Sequence, residues 1–333
     1  MQNKNKVGIN GFGRIGRYFT RLAILDPQVE IGLVNDLSDI HSLMHLFKYD
    51  SVHGAFDIGF EITGDTVVFS NGKKLRFSQQ REPSHIAWAE NNVTTVVECT
   101  GRFLSKDLAS GHLKGGAKKV VLSAPSKDQI VSTVVLGVND HTLSNDDVII
   151  SNASCTTNNV APIVKVIKSL VDIDLCYIST IHSYTSDQRL HDAPHKDLRR
   201  ARAAAHSIIP TTTGAAKAIT KIFPDLEGKI DGGAIRVPVS NGSMTEITFN
   251  VAEPVSMDKI NQAMIASSKL DLKGVLGIIN DPIVSIDIVG SALSSAYDVG
   301  LSKSFGKVLK IVAWYDNEAG YSNRLLDLTK KVH

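Results

Sequence analysis

The stretch Val7-Gly8-Ile9-Asn10-Gly11-Phe12-Gly13-Arg14-Ile15-Gly16 decides how the first half of this chain folds. Val7 to Asn10 reads as a short strand, and a G-x-G-x-x-G pattern follows it at once. Ile15, Phe19, Leu22 and Ala23 then fall on one helical face that runs to Leu25. A second strand, Val29 to Val34, ends in Asn35-Asp36. Glycines at this spacing serve a tight turn, the close approach of a pyrophosphate, and packing of helix against strand. Gly11, Gly13 and Gly16 are therefore expected to cradle a dinucleotide. Asp36, 20 residues beyond Gly16, is placed to accept a hydrogen bond from a ribose hydroxyl. A carboxylate there repels a 2′-phosphate, which favours NAD over NADP.

The pattern continues outward. Asp39 to Phe47 predicts a short helix. Thr66 to Ser70, Asn71-Gly72 and Lys73 to Phe77 predict a hairpin with a type I′ turn. Val93 to Glu98 and Lys118 to Leu122 read as strands, with a helix from Ser105 to Leu113 between them. Ligands of doubly wound sheets lie beyond the carboxyl ends of the strands. Thr100 and Ser123 stand at such ends and read either as cofactor neighbours or as ordinary polar turn residues.

Composition sets the outer bounds. A chain of 333 residues suggests two domains, because single cores rarely grow past ~250–300 residues. Apolar content of 43% and charged content of 21% describe an ordinary globular protein. A net charge of +2 points to no nucleic-acid or acidic partner, and no long uncharged apolar run suggests a membrane span. Met1 to Lys6 leads into a strand instead of a signal-peptide core. Cys99, Cys155 and Cys176 are odd in number and lack metal-ligand spacing, so no metal is read and a reducing, cytoplasmic setting is expected.

In the second half the chemistry gathers around Ser151-Asn152-Ala153-Ser154-Cys155-Thr156-Thr157-Asn158-Asn159. The run Val148-Ile149-Ile150 precedes it, and Val160, Ile163, Val164, Ile167 and Leu170 follow at helical spacing. Cys155 thus sits where a turn becomes a helix. The unpaired amides and positive dipole end there would stabilise a thiolate and lower the cysteine pKa. The alternative is a small buried cysteine serving only packing. Pro162 leaves two options for the helix: a start near Asn159, or a start at Cys155 with a bend.

Leu175 to Ile181 predicts a strand ending at His182, and Ile230–Val237, Thr245–Val251, Ile283–Val289 and Lys307–Trp314 predict further strands. Ser256 reads as the N-cap of a helix through Ser268. The alternation of Thr245 to Val251 suits a sheet with one solvated face. Tyr184 to Ile208 is long and polar, with five basic residues against two acids between 189 and 202. It reads as a solvated loop or as a contact with a cofactor or neighbouring subunit. No aromatic residues interleave with its arginines, so no dedicated nucleic-acid site is read. The fold class is α/β: a Rossmann-type dinucleotide-binding domain plus an α+β catalytic domain with a mixed, largely antiparallel sheet.

A nucleophilic Cys155, His182 as its base and a nicotinamide together define oxidation of an aldehyde through a thioester. The Cys155 amide and His182 would hold the oxyanion. Pro210-Thr211-Thr212-Thr213-Gly214 before a helix, and Arg236 on a strand, are settings for phosphate; with Thr185 and Ser154 they could form two anion sites.

Several segments resemble the glyceraldehyde-3-phosphate dehydrogenase family: Asn10 to Arg17, Lys48-Tyr49-Asp50-Ser51, Ser151 to Asn158, His195 to Ala205, and Trp314-Tyr315-Asp316-Asn317-Glu318. The resemblance runs from residue 6 to about 329. It implies the phosphorylating, NAD-dependent reaction, with Cys155 as nucleophile and His182 as base. Thr185 and Arg236 would hold the substrate phosphate of glyceraldehyde 3-phosphate. Ser154, Thr156, Thr213 and Gly214 would hold or adjoin inorganic phosphate. Gly11, Gly13, Arg14, Ile15, Gly16, Asp36, Arg81, Thr100, Ser123 and Asn317 would contact NAD. The resemblance also implies residues 1–153 as the NAD-binding domain, completed by a helix at 317–333, and 154–316 as a catalytic and tetramerisation domain of a homotetramer. The charged loop would then reach a neighbour's cofactor site. Asn159 stands where many members carry a second cysteine, and Ala319 where an aromatic is usual, which is expected to open space near the nicotinamide end.

Two rivals remain distinguishable. Oxidation of erythrose 4-phosphate would use water as final nucleophile, but Ser183 to Gln188 and Pro210 to Gly214 follow the phosphorylating pattern. A non-catalytic nucleotide-binding module acting through the basic loop would bind with steep salt dependence and survive Cys155→Ser.

Overall fold

The computed structural model describes residues 5–332; the expectation for residues 1–4 lies outside them. The chain divides into two units, one of Met1–Val134, Thr142–Ala153 and Ser322–His333, the other of Val135–His141 and Ser154–Tyr321.

The first unit holds strands β1 (Asn5–Asn10), β2 (Val29–Asn35), β3 (Phe60–Thr63), β4 (Thr66–Phe69), β5 (Lys74–Ser78), β6 (Thr95–Glu98), β7 (Lys119–Leu122), β8 (Ser132–Thr133) and β9 (Ile149–Ser151). Its helices are α1 (Arg14–Leu25), α2 (Ile40–Lys48) and α3 (Lys106–Lys114). The sheet order is β8-β9-β7-β6-β1-β2-β5-β4-β3. From β8 to β5 every neighbouring pair is parallel; β4 and β3 add an antiparallel edge. All four residues of β6 are buried, as a strand covered on both faces requires. Val96 packs with Leu33, Trp88 and Val93 in one cluster, and Val120 and Leu122 with Ala109 and Ile149 in another. Chain order reverses between β1 and β6, which makes the carboxyl ends of those strands the switch-point crevice.

The hairpin between β4 and β5 corrects one expectation. Phe69 N–H donates to the Lys73 carbonyl at 2.9 Å, so three residues, Ser70 to Gly72, form the loop. Only Gly72 takes a positive φ, 83°, whereas a type I′ turn needs two such residues.

The second unit is built on β10 (Ile173–Ser183), β11 (Ile209–Thr212), β12 (Ile230–Val237), β13 (Ser243–Val251), β14 (Leu276–Ile279), β15 (Ser295–Asp298), β16 (Lys303–Phe305) and β17 (Val308–Tyr315). Helices α4 (Cys155–Leu170), α5 (Ala215–Ile222) and α6 (Met257–Lys269) join them; α7 (Ala319–Lys331) begins here and runs into the first unit. The order is β11-β12-β10-β13-β17-β15-β14, with β16 beside β17. β10 is parallel to β12 and β14 to β15, and the other pairs are antiparallel. This is the mixed, largely antiparallel sheet that the strand pattern predicted. The alternation in β13 holds: Thr245, Ile247, Phe249 and Val251 are buried, and Thr248 and Asn250 exposed.

Ile283 to Val289 is not a strand. Ser285–Ile288 forms a 3-10 turn, closed by Val284 N–H donating to the Asp287 carboxylate at 2.8 Å. Local side-chain capping outcompeted a ladder there, leaving Ile286 exposed. The strands in this region are instead β14 and β15, each only 4 residues long.

Candidate active site and dinucleotide site

Each glycine of the opening motif has a separate geometric reason. Gly11 sits at φ 95°, where a side chain would be strained. A Cβ on Gly16 would stand 2.2 Å from the Gly11 carbonyl oxygen. Nothing lies within 4 Å of a Cβ on Gly13, the residue that caps α1 without any side-chain hydrogen bond. The first amides of α1 therefore face open space, the arrangement that receives a phosphate. Gly11, Gly13, Asp36, Arg81 and Thr100 line one cavity of about 660 Å³ at the switch point. Asp36 already accepts Phe12 N–H at 2.7 Å with one oxygen and Ser38 N–H at 2.9 Å with the other, so it is held in place. These residues fit an NAD dinucleotide.

Other expected cofactor residues stand apart from that cavity's lining. Arg14, the first residue of α1, pairs with Asp50 at 2.6 Å. Ile15 follows it on the half-buried face of α1. Ser123 N–H donates to the Glu98 carbonyl at 3.0 Å. Asn317 lies in the second unit, where its Oδ1 accepts from Ser183 Oγ at 2.8 Å and Ser243 Oγ at 2.9 Å, which leaves its amide nitrogen to present. Asn10, Asn35, Gln80, Arg102 and Phe103 also line the cavity and escaped the sequence reading. The signal for Asn10 and Asn35 was available: each is a polar residue ending a strand that is otherwise largely apolar.

Helix α4 begins at Cys155 and continues through Pro162, which settles the question of its start. Ser154 is the N-cap, its Oγ accepting Thr157 N–H at 3.0 Å. Ahead of it, Ala153 takes φ 56°, a rare conformation for a residue with a side chain, and so turns the chain sharply from β9 into α4. Cys155 Sγ lies 3.5 Å from His182 Nε2. His182 is buried near the end of β10, in register with Arg236 on β12. Its Nδ1 is 2.7 Å from the Ser183 carbonyl oxygen and 2.8 Å from Arg236 Nη1, which also donates to that carbonyl at 3.0 Å.

Electrostatics pull on the expected thiolate from two sides. Burial pushes the Cys155 thiol up from its ordinary pKa, against the opposing pull of the Arg236 charge and hydrogen bonds from Thr156. Burial, and then the Arg236 charge, push His182 down to about 3. Both directions favour the neutral forms of the pair, while the Arg236 charge and the Thr156 hydrogen bonds pull the cysteine the other way.

The expected anion-binding residues divide into two groups. Arg236 has a buried Nε without a protein partner, although its Nη1 is engaged. Thr185 N–H donates to Gln188 Oε1 at 3.3 Å, and the residue stays half-exposed. Gly214 precedes α5 with open space around it, and Thr213 Oγ1 accepts Ala215 N–H at 3.2 Å. The Thr156 hydroxyl, by contrast, is buried at 2.9 Å from Tyr315 Oη. Ala319 is fully buried at the start of α7.

The basic loop is stapled by its own acids. Arg200 pairs with Asp187 at 2.6 Å and donates to Thr211 Oγ1 at 2.9 Å, and Arg202 pairs with Asp192 at 2.8 Å. Leu190, Leu198 and Ile208 are left exposed on it. Among the described residues no group of three or more His, Cys, Asp or Glu side chains could hold a metal, and no helix is long and apolar enough to cross a membrane.

Comparison with known proteins gives a single answer over both units. The family profile described as glyceraldehyde 3-phosphate dehydrogenase, NAD binding domain, matches residues 5–106. The profile of the C-terminal domain of the same family matches residues 154–317. The chain is 49% identical over 329 residues to glyceraldehyde-3-phosphate dehydrogenase of Geobacillus stearothermophilus, covering 98% of each chain. It is 47% identical over 330 residues to glyceraldehyde-3-phosphate dehydrogenase 1 of Bacillus subtilis, again with 98% of each covered. The glyceraldehyde-3-phosphate dehydrogenase of Mycolicibacterium smegmatis is 48% identical over 334 residues, also at 98% coverage.

Proposed function

Because this chain belongs to the glyceraldehyde-3-phosphate dehydrogenase family, we propose that it oxidises D-glyceraldehyde 3-phosphate to 1,3-bisphosphoglycerate with NAD and inorganic phosphate. The single observation that carries this reading is Cys155 at the first position of α4 with His182 Nε2 3.5 Å from its sulfur.

His182, neutral at working pH, takes the thiol proton as Sγ adds to the aldehyde carbon. The oxyanion forms near the amide end of α4 and takes that proton back from Nε2, giving a thiohemiacetal on Cys155. NAD held by Gly11, Gly13, Arg14, Ile15, Gly16, Asp36, Arg81, Thr100, Ser123 and Asn317 supplies the hydride acceptor when bound. As the C–H bond is lost, His182 removes the hydroxyl proton and a thioester remains. Inorganic phosphate then adds to the thioester carbon and the Cys155 thiolate leaves, yielding the acyl phosphate. Arg236 and Thr185 anchor the substrate phosphate. Ser154, Thr213 and Gly214 receive the attacking phosphate, and Thr156 acts beside them through its contacts to Cys155 rather than as a free hydroxyl.

His182 can act as the base when its proton is on Nδ1 and donated to the Ser183 carbonyl, since Nε2 then faces Cys155 with a free lone pair; the imidazolium formed when Nε2 takes a proton is the acid that returns it.

In this assignment residues 1–153 with helix 317–333 form the NAD-binding domain, and 154–316 the catalytic and tetramerisation domain. A homotetramer is supported by the exposed Leu190, Leu198 and Ile208 on an internally stapled loop, and a cytoplasmic setting by three cysteines that are all free. The deciding assay is NADH formation from glyceraldehyde 3-phosphate with and without phosphate. Turnover that requires phosphate and disappears in Cys155→Ser, with NAD affinity retained, is the expected result. Turnover indifferent to phosphate, or surviving loss of the thiol, would overturn the reading.

A further inference from the structure

Beneath the dinucleotide cavity runs a chain of buried polar side chains whose donors lead from both ends to Glu98. Trp88 Nε1 donates to His112 Nδ1 at 3.1 Å; since an indole N–H can only donate, the His112 proton sits on Nε2. That nitrogen stands 3.0 Å from Glu98 Oε2 and donates to it. Asn10 Nδ2 donates to the same oxygen at 2.6 Å, while Asn10 Oδ1 accepts from Asn35 Nδ2 at 2.8 Å. Asn35 Oδ1 in turn accepts from Ser78 Oγ at 2.9 Å and from the Gln80 amide at 2.7 Å. On its other side, Glu98 Oε1 accepts both the amide of Thr100, at 2.7 Å, and the Thr100 hydroxyl. Four donors therefore converge on one carboxylate that is fully buried, as is His112.

Three of the side chains in this belt also line the cavity: Asn10, Asn35 and Thr100. The belt ties together the carboxyl ends of β1, β2 and β6 and the residues after β5, which is where a doubly wound sheet receives its ligand. It also reaches the glycine turn. A Cβ on Gly11 would stand 2.8 Å from the Thr100 amide nitrogen, so the turn and the Thr100 backbone are in direct contact. Burying a carboxylate and an imidazole together is weak as a device for stability, since an apolar pair of similar volume does as well or better. A satisfied polar network does supply fixed placement.

We propose that Glu98 is a positioning residue for NAD: it never touches the dinucleotide, but sets the Thr100 loop, Asn10 and the Gly11 turn in the geometry that receives it. The isosteric substitution Glu98→Gln cannot preserve this arrangement. A side-chain amide there would aim an N–H either at the Asn10 and His112 donors or at the Thr100 amide. Flipping Asn10 to compensate would break its bond from Asn35.

The inference rests on the assignment of NAD to this cavity, which Asp36→Ala tests separately. The measurements are calorimetric NAD affinity, KM for NAD and for glyceraldehyde 3-phosphate, kcat, and urea midpoint, all on the full chain. Glu98→Gln is expected to weaken NAD binding and raise KM for NAD by about tenfold or more, with kcat and KM for glyceraldehyde 3-phosphate within about twofold. Val96→Ala, a buried change on the same strand but off the belt, is expected to lower the urea midpoint and leave NAD affinity within about twofold. A Glu98→Gln protein that is less stable yet binds NAD normally would overturn the proposal, as would an equal loss of NAD affinity in Val96→Ala. If Glu98→Gln does not fold, Trp88→Phe carries the test. It frees His112 to switch tautomer and drop its donor to Glu98, with NAD weakened by about threefold at unchanged kcat expected, and unchanged affinity overturning the proposal. An NAD affinity indifferent to Asp36→Ala would instead remove the premise.

Discussion

Arg236 Nη1 lies 2.8 Å from Nδ1 of His182, the ring nitrogen opposite the one that faces Cys155. Adjacent strands in register bring the two residues together, His182 opposite Arg236 in the β10–β12 pair. A guanidinium therefore acts on the cysteine both directly and through the imidazole. It favours the thiolate, disfavours the imidazolium, and still keeps a buried Nε for an anion.

Replacing Arg236 with glutamine separates these effects. Removing the charge raises the Cys155 pKa further and lets that of His182 rise, so the pH profile of iodoacetamide alkylation moves to higher pH. Loss of a buried charged contact to substrate phosphate should also reduce kcat/KM by about 100-fold, mostly through KM. An alkylation profile that stays in place would show that Arg236 does not act on the sulfur.

His182→Asn keeps a polar group in place but removes the base. The expected loss in kcat is about 10²–10⁴-fold, with NAD affinity unchanged. Steady-state kinetics beside NAD titration check both halves.

The buried His182 also shapes acid stability. Its folded pKa, about 3, lies below its unfolded value near 6.5, so between those limits the unfolded chain binds more protons. Its contribution is complete above about pH 6.5 and is lost as pH falls toward 3, with a slope of at most about 1.4 kcal/mol per pH unit. Urea unfolding of wild type and His182→Asn across that window should show the shallower acid dependence in the variant.

Ala153, at φ 56° and fully buried, tolerates only the smallest changes. Ala153→Val places a β-branched side chain in the left-handed region and should destabilise by more than about 2 kcal/mol. Ala153→Gly relieves the strain but loosens the unfolded chain, for a net change within about 1 kcal/mol. Urea midpoints of the two variants give the comparison.

Asn159, one turn beyond Cys155, anchors α4 to three strands. Its Nδ2 donates to Ser295 Oγ at 3.4 Å and to the Trp314 carbonyl at 3.2 Å, and its Oδ1 accepts from Thr245 Oγ1. Asn159→Ala strands two fully buried hydroxyls and should cost about 2–3 kcal/mol in urea unfolding.

Local chemistry made much of this legible in advance. The glycine spacing, the carboxylate at Asp36 and the Val/Ile-rich strands carry their geometry in short range, because turn conformation and strand burial depend on neighbouring residues. The start of α4, left open between Cys155 and Asn159, was decided only by the fold, which caps the helix with Ser154 and accommodates Pro162 inside it. Misread segments were those where local rules compete. Ile283 to Val289 carries strand-forming residues, yet Asp287 caps a 3-10 turn.

The sequence by itself determined the cradle for the dinucleotide, the nucleophile at a helix start and the family, since each is written in contiguous residues. Only the tertiary structure decided that Cys155 and His182 meet at 3.5 Å, that Arg236 reaches the far side of His182, and that Glu98 gathers four donors under the cavity. Desolvation and long-range pairing are properties of packing, and residues 27, 54 or 88 positions apart have no means of announcing their contact along the chain.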